Sequence, residues 1–271
     1  MAEKKWVLVL LCDALYVTRT LDTIEACRSV GDWTDDIVVL VDTSVNLQDS
    51  LVSSRFQALG CEIRQVESQA PVDRIQALWK PFEHSQNYAT AIKKLVQYCK
   101  FHIFDLWFKR WDYVFYIDAG MRIYGDLNRM KRACQDKGVF YAHSNGYPDY
   151  KEVGSIRNQF ESSLDMNIMN EMDKEFTLDI DSFQSTTMIF HTGIIEANTI
   201  QDLYNILYKY PTAKCNDQGI FNLYFHCKKH IWKQLPLHDE EGFLYDFLQR
   251  GNNSKLDYLM LKHPLEQLLF R

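Results

Sequence analysis

Glycine, proline and positive charge are all scarce in this sequence of 271 residues. It contains 11 glycines and 6 prolines, too few for a collagen-like, linker-rich or low-complexity chain. There are 30 lysines and arginines against 36 aspartates and glutamates, which gives a net charge of −6. Because nucleic-acid-binding domains are normally basic, we expect no nucleic-acid partner, and an anionic ligand would need a local site.

Long apolar runs and paired cysteine motifs are missing as well. The apolar run Trp6–Cys12 ends at Asp13 and is far shorter than the ~20 residues that a membrane-spanning helix needs. It is also short for the core of a signal peptide, so a buried strand is the better interpretation. The 7 cysteines are odd in number and never spaced C-x-x-C, which argues against a disulfide framework or a structural zinc site. We therefore expect a cytoplasmic protein with reduced thiols and no membrane span.

Hydrophobic residues, by contrast, are plentiful. They make up 46% of the chain, and aromatic residues make up 14%, which is enough for a large core. Near the N-terminus, apolar runs alternate with segments of helical periodicity: strand 6–12, helix 18–30, strand 36–41, helix 47–59 and strand 61–66. This order predicts a parallel sheet with crossover helices, the pattern of a nucleotide-binding half.

The remainder of the chain predicts further helices and strands. The helices are expected at 88–108, 126–136, 199–210 and 215–229, and the strands at 113–117, 121–124, 139–142, 183–190 and 256–261. Between them, 143–181 is a polar insertion with a helical patch around 155–175. We expect it to cover the acceptor side and to be the most mobile segment.

Together these elements predict one α/β domain over 1–271. Its sheet should be mixed but mostly parallel, Rossmann-like and flanked by helices. Residues 1–125 would form the nucleotide-binding half and 126–271 the acceptor and sugar half.

Asp118 is the first candidate functional residue, because it directly follows the apolar strand 113–117. Ligands of open α/β sheets bind at the carboxyl ends of the strands. A carboxylate there can hold a divalent cation, which in turn can hold a pyrophosphate. The alternative is a plain turn, since Asp and Gly are common turn residues.

Several short motifs occur in an informative order. They are KFHIF from Lys100, WDYVFYIDAG over 111–120, MRIYGDL over 121–127, CNDQGIFN over 215–222 and LKH over 261–263. In order and spacing they resemble the nucleotide-sugar-dependent glycosyltransferases of the GT-A fold, most closely the glycogenin and bacterial galactosyltransferase branch, glycosyltransferase family 8. The resemblance extends over most of the chain and implies the GT-A fold.

The resemblance also implies a donor site. Asp118, Ala119 and Gly120 would contact the donor sugar nucleotide, and the ammonium of Lys100 would approach its diphosphate, with Lys93 and Lys94 as alternatives. The loop after the first strand would receive the nucleobase and ribose through Asp13, Tyr16 and Arg19.

Sugar-side and metal residues follow from the same resemblance. Asp217, Gln218 and Gln184 would line the sugar and acceptor side; Asp217 is also a suitable helix N-cap. His263 would join Asp118 in holding Mn²⁺ or Mg²⁺, with His238 as the alternative.

Two positions depart from the family pattern. Gly120 stands where the Asp-x-Asp motif has its second carboxylate, so one expected metal ligand is missing. Gln184, Ser185 and Thr186 stand where the family has Asn-Ser-Gly, so the glycine has been replaced by a residue with a side chain. The metal site and the donor geometry depend on these positions.

The function implied by the resemblance is transfer of a sugar from a nucleoside-diphosphate donor, preferably a UDP-sugar, to a hydroxyl of a glycan or protein acceptor. Two other functions stay open. A nucleotidyltransferase that makes the sugar nucleotide would normally have a glycine-rich loop after the first strand, and the loop over 12–19 has no glycine. A non-catalytic binding relative would explain the loss of a carboxylate at Gly120.

Overall fold

The structure is a computed structural model, and it describes residues 4–146, 154–249 and 253–264. The strands are β1 (Trp6–Cys12), β2 (Asp36–Val41), β3 (Cys61–Gln65), β4 (Tyr113–Ile117), β5 (Arg122–Ile123), β6 (Phe140–Ser144), β7 (Phe183–His191), β8 (Trp232–Gln234), β9 (His238–Asp239), β10 (Gly242–Leu248) and β11 (Tyr258–His263). The α-helices are α1 (Val17–Ser29), α2 (Ser50–Ala58), α3 (Val72–Trp79), α4 (Gln86–Lys93), α5 (Asn128–Ala133), α6 (Met166–Glu175), α7 (Thr199–Lys209) and α8 (Asp217–Phe221).

The larger of the two described sheets has seven strands in the order β3-β2-β1-β4-β7-β6-β8. Strands β3, β2, β1 and β4 run parallel, and β7 then pairs antiparallel with both β4 and β6. The strand direction therefore changes between β4 and β7. The predicted mixed, mostly parallel sheet flanked by helices is confirmed.

A core lies on each face of this sheet. Val7, Val9 and Tyr116 belong to one cluster of buried residues, whereas Leu8 and Phe115 belong to the other. Successive side chains of a strand point to opposite faces, so a strand between two helical layers must be apolar throughout. That is why the fully buried β1 and β4 were recognisable as continuous apolar runs.

The second sheet has the strand order β5-β11-β10-β9. Leu261 of β11 pairs with Arg122 of β5, which brings the late strand beside the turn that follows β4. A hydrogen bond of 2.8 Å between Tyr245 Oη and Thr186 Oγ1 links β10 to β7 of the large sheet. Strands β8, β9 and β10 were not predicted from the sequence.

The helix predicted over 88–108 is wrong as one element. Helix α4 ends at Lys93, a 3₁₀ helix follows over Leu95–Phe104, and a second short 3₁₀ helix covers Leu106–Arg110. Asp105 separates the last two, and its Oδ1 accepts a hydrogen bond from Trp107 N at 2.9 Å. The expected helix at 215–229 likewise changes character, because α8 is continued by a π-helix over Asn222–Lys228.

Part of the predicted insertion is built into the core. Residues 147–153 lie outside the described residues, but α6 buries Met172 completely, and Phe160 is 2% exposed. Ile156 N donates to Ile180 O at 3.0 Å, so the two ends of the described part are joined. The mobility of the insertion and the single-domain organisation stay predictions.

Two further expectations from composition can be compared with the structure. All seven cysteines fall in the described ranges, and all are free. Across 4–146, 154–249 and 253–264, none of the helices is long and apolar enough to cross a membrane.

Candidate active site

Asp118 lies where the large sheet changes strand direction. It follows β4, and its backbone N–H donates to Thr186 O of β7 at 2.9 Å. Met121 N donates to Asp118 O at 3.2 Å and closes a turn, in which Gly120 has a φ of +83°. This left-handed conformation favours glycine. Gly120 N also donates to Thr23 Oγ1 of α1 at 2.9 Å, so the turn is held from two sides.

Lys100 connects Asp118 to Asp217. Its ammonium is 3.0 Å from Asp118 Oδ1 and 3.2 Å from Asp217 Oδ2, and its side chain is only 2% exposed. The ring of Tyr116 lies 5.1 Å from the ammonium, and the Tyr116 hydroxyl donates to Asp118 Oδ1 at 2.8 Å. The structure thus brings three of the predicted residues together, but it encloses Lys100 between two carboxylates instead of presenting it to a diphosphate.

Charge pairing sets the protonation of this cluster. Burial acts to raise the pKa of Asp118, but the nearby ammonium groups of Lys100 and Lys262 outweigh it, so the pKa is lowered. Burial acts to lower the pKa of Lys100, and the two carboxylates outweigh that effect and raise it. Asp118 and Lys100 are therefore both charged near neutral pH.

Asp217 is the more deeply buried carboxylate, with 1% exposure of its side chain. It begins α8 directly after Asn216, whose φ of 48° redirects the chain. Burial raises its pKa, and Lys100 opposes this only in part. Although Lys100 lies within ion-pair distance, neither Asp217 oxygen accepts a well-aligned hydrogen bond from the described part of the chain. Lys100 and the Ser185 hydroxyl both act to lower its pKa, so Asp217 is an ion-paired carboxylate with acceptor capacity left for a ligand or for water.

Gln218 and β7 lie next to this charge cluster. The backbone N–H of Ser185 donates to Gln218 Oε1 at 3.3 Å, and Lys100 Nζ lies 3.4 Å from Ser185 Oγ. Ser185 thus contacts Lys100, and its neighbour Gln184 points to the other face of the strand; the predicted role of Gln184 on the sugar and acceptor side stays a prediction. The buried Oε1 of Gln184 accepts no hydrogen bond from other described residues.

The loop predicted to receive the base and ribose lies after β1. Asp13 Oδ1 accepts a hydrogen bond from Tyr16 N at 2.9 Å, and this bond shapes the entry to α1. Tyr16 is 37% exposed, and the guanidinium of Arg19 lies 5.3 Å from the centre of its ring. Two exposed side chains that present a ring and a positive charge can meet a base and a phosphate.

Lys262 is the main site residue that was not singled out from the sequence. Its ammonium is 3.7 Å from Asp118 Oδ2 and donates to Ala119 O at 3.0 Å. Arg19 is close enough to contribute to lowering the pKa of Lys262, although burial is the main cause. The motif LKH predicted a metal ligand at His263 and no role for Lys262.

The residues at Asp118 do not fit a divalent cation. The ring of His263 packs edge-on against Phe247, with 4.9 Å between the ring centres, while Lys262 contacts Asp118. The carboxylate is thus flanked by two ammonium groups, which repel a divalent ion, and Gly120 has no side chain to add a ligand. Over the described ranges, no group of three or more His, Cys, Asp and Glu side chains is arranged to hold a metal ion. The predicted pairing of Asp118 with His263 as metal ligands is not favoured by these contacts and stays a prediction, and the alternative His238 packs on Phe243.

Comparison with known proteins gives structural relatives only. No family model and no curated protein matches the sequence. Among solved structures, the bifunctional glycosyltransferase WbbM is 17% identical with a TM-score of 0.53; the match covers 90% of this chain but 40% of WbbM. The galactosyltransferase LgtC, solved with donor and acceptor sugar analogues, is 12% identical with a TM-score of 0.55 and coverages of 89% and 75%. Core-mannan synthase A from Aspergillus fumigatus, in a Mn/GDP form, is 10% identical with a TM-score of 0.50 and coverages of 86% and 73%.

These relatives identify the fold. The chain has the architecture of GT-A glycosyltransferases, as the motifs implied. At such identities the likeness concerns the fold alone, and fold does not determine function. Function must therefore be argued from the side chains at the end of β4.

Proposed function

We propose that this protein is a glycosyltransferase that moves a sugar from a nucleoside-diphosphate donor, preferably a UDP-sugar, to a hydroxyl acceptor on a glycan or protein. The proposal is carried by one observation. Asp118, Lys100 and Asp217 form a buried charge cluster at the carboxyl end of β4. In a sheet of this kind that is where ligands bind.

Two groups of residues, one after β1 and one at the start of α8, suit the two parts of such a donor. Tyr16 and Arg19 are exposed and lie at the end of β1, where they suit the base and the phosphates. Asp217 has buried oxygens that lack a well-aligned donor from the described residues, and Gln218 lies next to it. Acceptor oxygens of this kind suit the hydroxyl groups of a sugar.

The proposed chemistry is mainly electrostatic. Breaking the bond between the sugar and the diphosphate places negative charge on the leaving group, and a preorganised positive charge stabilises it. Lys100 balances Asp118 and Asp217, so that two carboxylates can stand close together in a buried site. Asp217 and Gln218 are the candidate catalytic residues, because they begin α8, where Asp217 shares Lys100 with Asp118 and Gln218 Oε1 accepts a hydrogen bond from Ser185 N.

A donor-hydrolysis assay tests this proposal without knowledge of the acceptor. The purified protein is incubated with UDP-glucose, UDP-galactose or GDP-mannose, and free nucleoside diphosphate is measured. We expect steady release from at least one donor. Replacing either carboxylate, as Asp217→Asn or Asp118→Asn, should reduce the rate roughly 10²-fold, the scale for loss of one preorganised charged group.

Asp173→Asn is the matched control, since Asp173 forms an exposed ion pair with Arg157 outside the site. It should release nucleoside diphosphate at the wild-type rate. Unchanged turnover in both site variants would refute the site assignment. Release of pyrophosphate from a nucleoside triphosphate and sugar phosphate would indicate the nucleotidyltransferase instead, and binding without turnover would indicate the non-catalytic relative.

A further inference from the structure

We infer that the ammonium of Lys262 takes the place of a divalent metal ion and binds the diphosphate of the donor directly, so that donor binding needs no metal. This inference rests on the proposed function and adds to it the group that recognises the diphosphate. The positive charge next to Asp118 would then come from a side chain of this protein and not from a bound ion. Two independent features of the structure support this inference.

The first feature is the way Lys262 is fixed in place. Tyr124 N donates to Leu259 O at 2.9 Å, and Leu261 pairs with Arg122, so β11 is joined to the segment that follows Asp118. From β11, Lys262 Nζ reaches both Ala119 O and Asp118 Oδ2. The ammonium thus lies at the turn whose third residue is Gly120, where a second carboxylate would have helped to hold a cation.

The second feature is the distribution of charge. Lys100 is enclosed and is balanced by Asp118 and Asp217, and it lies nearer to Asp118 than Lys262 does, at 3.0 Å against 3.7 Å. Lys262 shares the same carboxylate and keeps 15% of its side chain exposed, and Arg19 adds positive charge close by. The two ammonium groups thus balance the two carboxylates, and the exposed guanidinium of Arg19 adds a further positive charge nearby.

An anion beside Lys262 and Arg19 would offset this further positive charge. An ammonium has three N–H donors; Ala119 O takes one and Asp118 Oδ2 lies within ion-pair distance of another, which leaves at least one donor for a phosphate oxygen. A lysine is a compact point charge and suits phosphate as a cation does, while Asp118 and Ala119 O orient it. During transfer the same charge would stabilise the departing diphosphate.

Calorimetric titration with UDP and GDP tests the inference, with uridine and guanosine as ligands that lack the diphosphate. For the wild-type protein we expect equal nucleoside-diphosphate affinity, within twofold, in EDTA and in Mn²⁺ or Mg²⁺. Lys262→Met should weaken binding of the preferred nucleoside diphosphate about tenfold or more and leave binding of its nucleoside unchanged. Lys262→Arg should retain most of the affinity because it keeps the charge.

The control is Lys233→Met, which removes a lysine that pairs with Asp136 on the surface; its affinities should equal those of the wild type. Tightening of wild-type binding by tenfold or more with metal would overturn the inference, as would unchanged affinity in Lys262→Met. Either result leaves the proposed function intact if donor hydrolysis is seen. If neither UDP nor GDP binds under any condition, the proposed function fails together with the inference.

Discussion

The residues at the end of β4 show how one carboxylate can be kept charged in a mostly buried place. Asp118 is 19% exposed and receives the Tyr116 hydroxyl and the ammonium of Lys100 on one oxygen, with Lys262 facing the other. Its partners stabilise the ionised form, so Asp118 favours folding only while it is ionised. That dependence can be measured.

We predict that the free-energy difference of unfolding between the wild type and Asp118→Asn depends on pH. The folded-state pKa of Asp118 is lowered from its ordinary 3.8, so the folded state holds this proton less tightly than the unfolded state does. The stabilisation is therefore complete above pH ~5 and falls as pH decreases through the folded-state pKa. Urea unfolding of both proteins between pH 7 and pH 3 should show the difference shrinking only below pH ~4. A difference that is constant over this whole range would contradict the assigned role of the charge.

Sequence reasoning at the residue scale identified four residues of this cluster and gave no role to three others, Lys262, Tyr116 and Ser185. Asp118, Lys100, Asp217 and Gln218 were predicted because motifs and strand ends mark them. Lys262 and His263 are neighbours on β11, and nothing in a single sequence says which of two adjacent strand residues will reach a neighbouring turn. Only the pairing of β11 with β5, which is a long-range contact, decides it.

At the scale of elements, α8 depends on Asn222, which marks the change to a π-helix. Asn222 is fully buried; its Nδ2 donates to Phe183 O at 2.9 Å and to Gln218 O at 2.8 Å. Phe183 N donates back to Asn222 Oδ1 at 2.9 Å. One side chain thus fastens the helix that carries Asp217 and Gln218 to the start of β7.

We predict that Asn222→Ala destabilises the protein by roughly 2–4 kcal/mol, because it leaves the backbone N–H and C=O of Phe183 without the Asn222 side chain as partner, at about 1–3 kcal/mol each. Chemical denaturation should show the loss. Donor hydrolysis should fall even where the variant is folded, since Gln218 is less well held. The control is Asn205→Ala, on the exposed face of α7, which should change stability by less than about 0.5 kcal/mol. An Asn222→Ala variant as stable as this control would contradict the fastening role.

Elements were predictable where local signals are strong. Apolar runs bounded by turn residues located β1, β2 and β4 within a residue. The segment over 88–108 has no glycine or proline. The local sequence therefore did not predict that the helix is interrupted at Lys94 and Asp105. Its 3₁₀ portion buries Tyr98, Phe101 and Phe104 in the core, and tertiary packing, not intrinsic propensity, sets its conformation. Strands β8 and β9 are too short to show periodicity.

On the scale of the whole molecule, the site is assembled from distant parts of the chain. The large sheet supplies Asp118, the loop after β1 supplies Tyr16 and Arg19, and the small sheet supplies Lys262. The Tyr245–Thr186 hydrogen bond joins the two sheets, and Arg129 of α5 forms an ion pair with Asp239 of β9. A nucleoside diphosphate bound across them would hold all these parts together.

We therefore predict a defined pattern of protection when UDP binds. Amide hydrogen exchange should slow in 13–19, 118–121 and 258–263 together, because the ligand contacts or stiffens each of them. Segment 166–175, on the far part of the described insertion, should be unaffected and serves as the internal control. At a UDP concentration of 100 times Kd, the fold should gain about 2.7 kcal/mol, seen as a higher Tm. Protection of 13–19 and 118–121 without 258–263 would show that β11 and its Lys262 take no part in nucleotide binding.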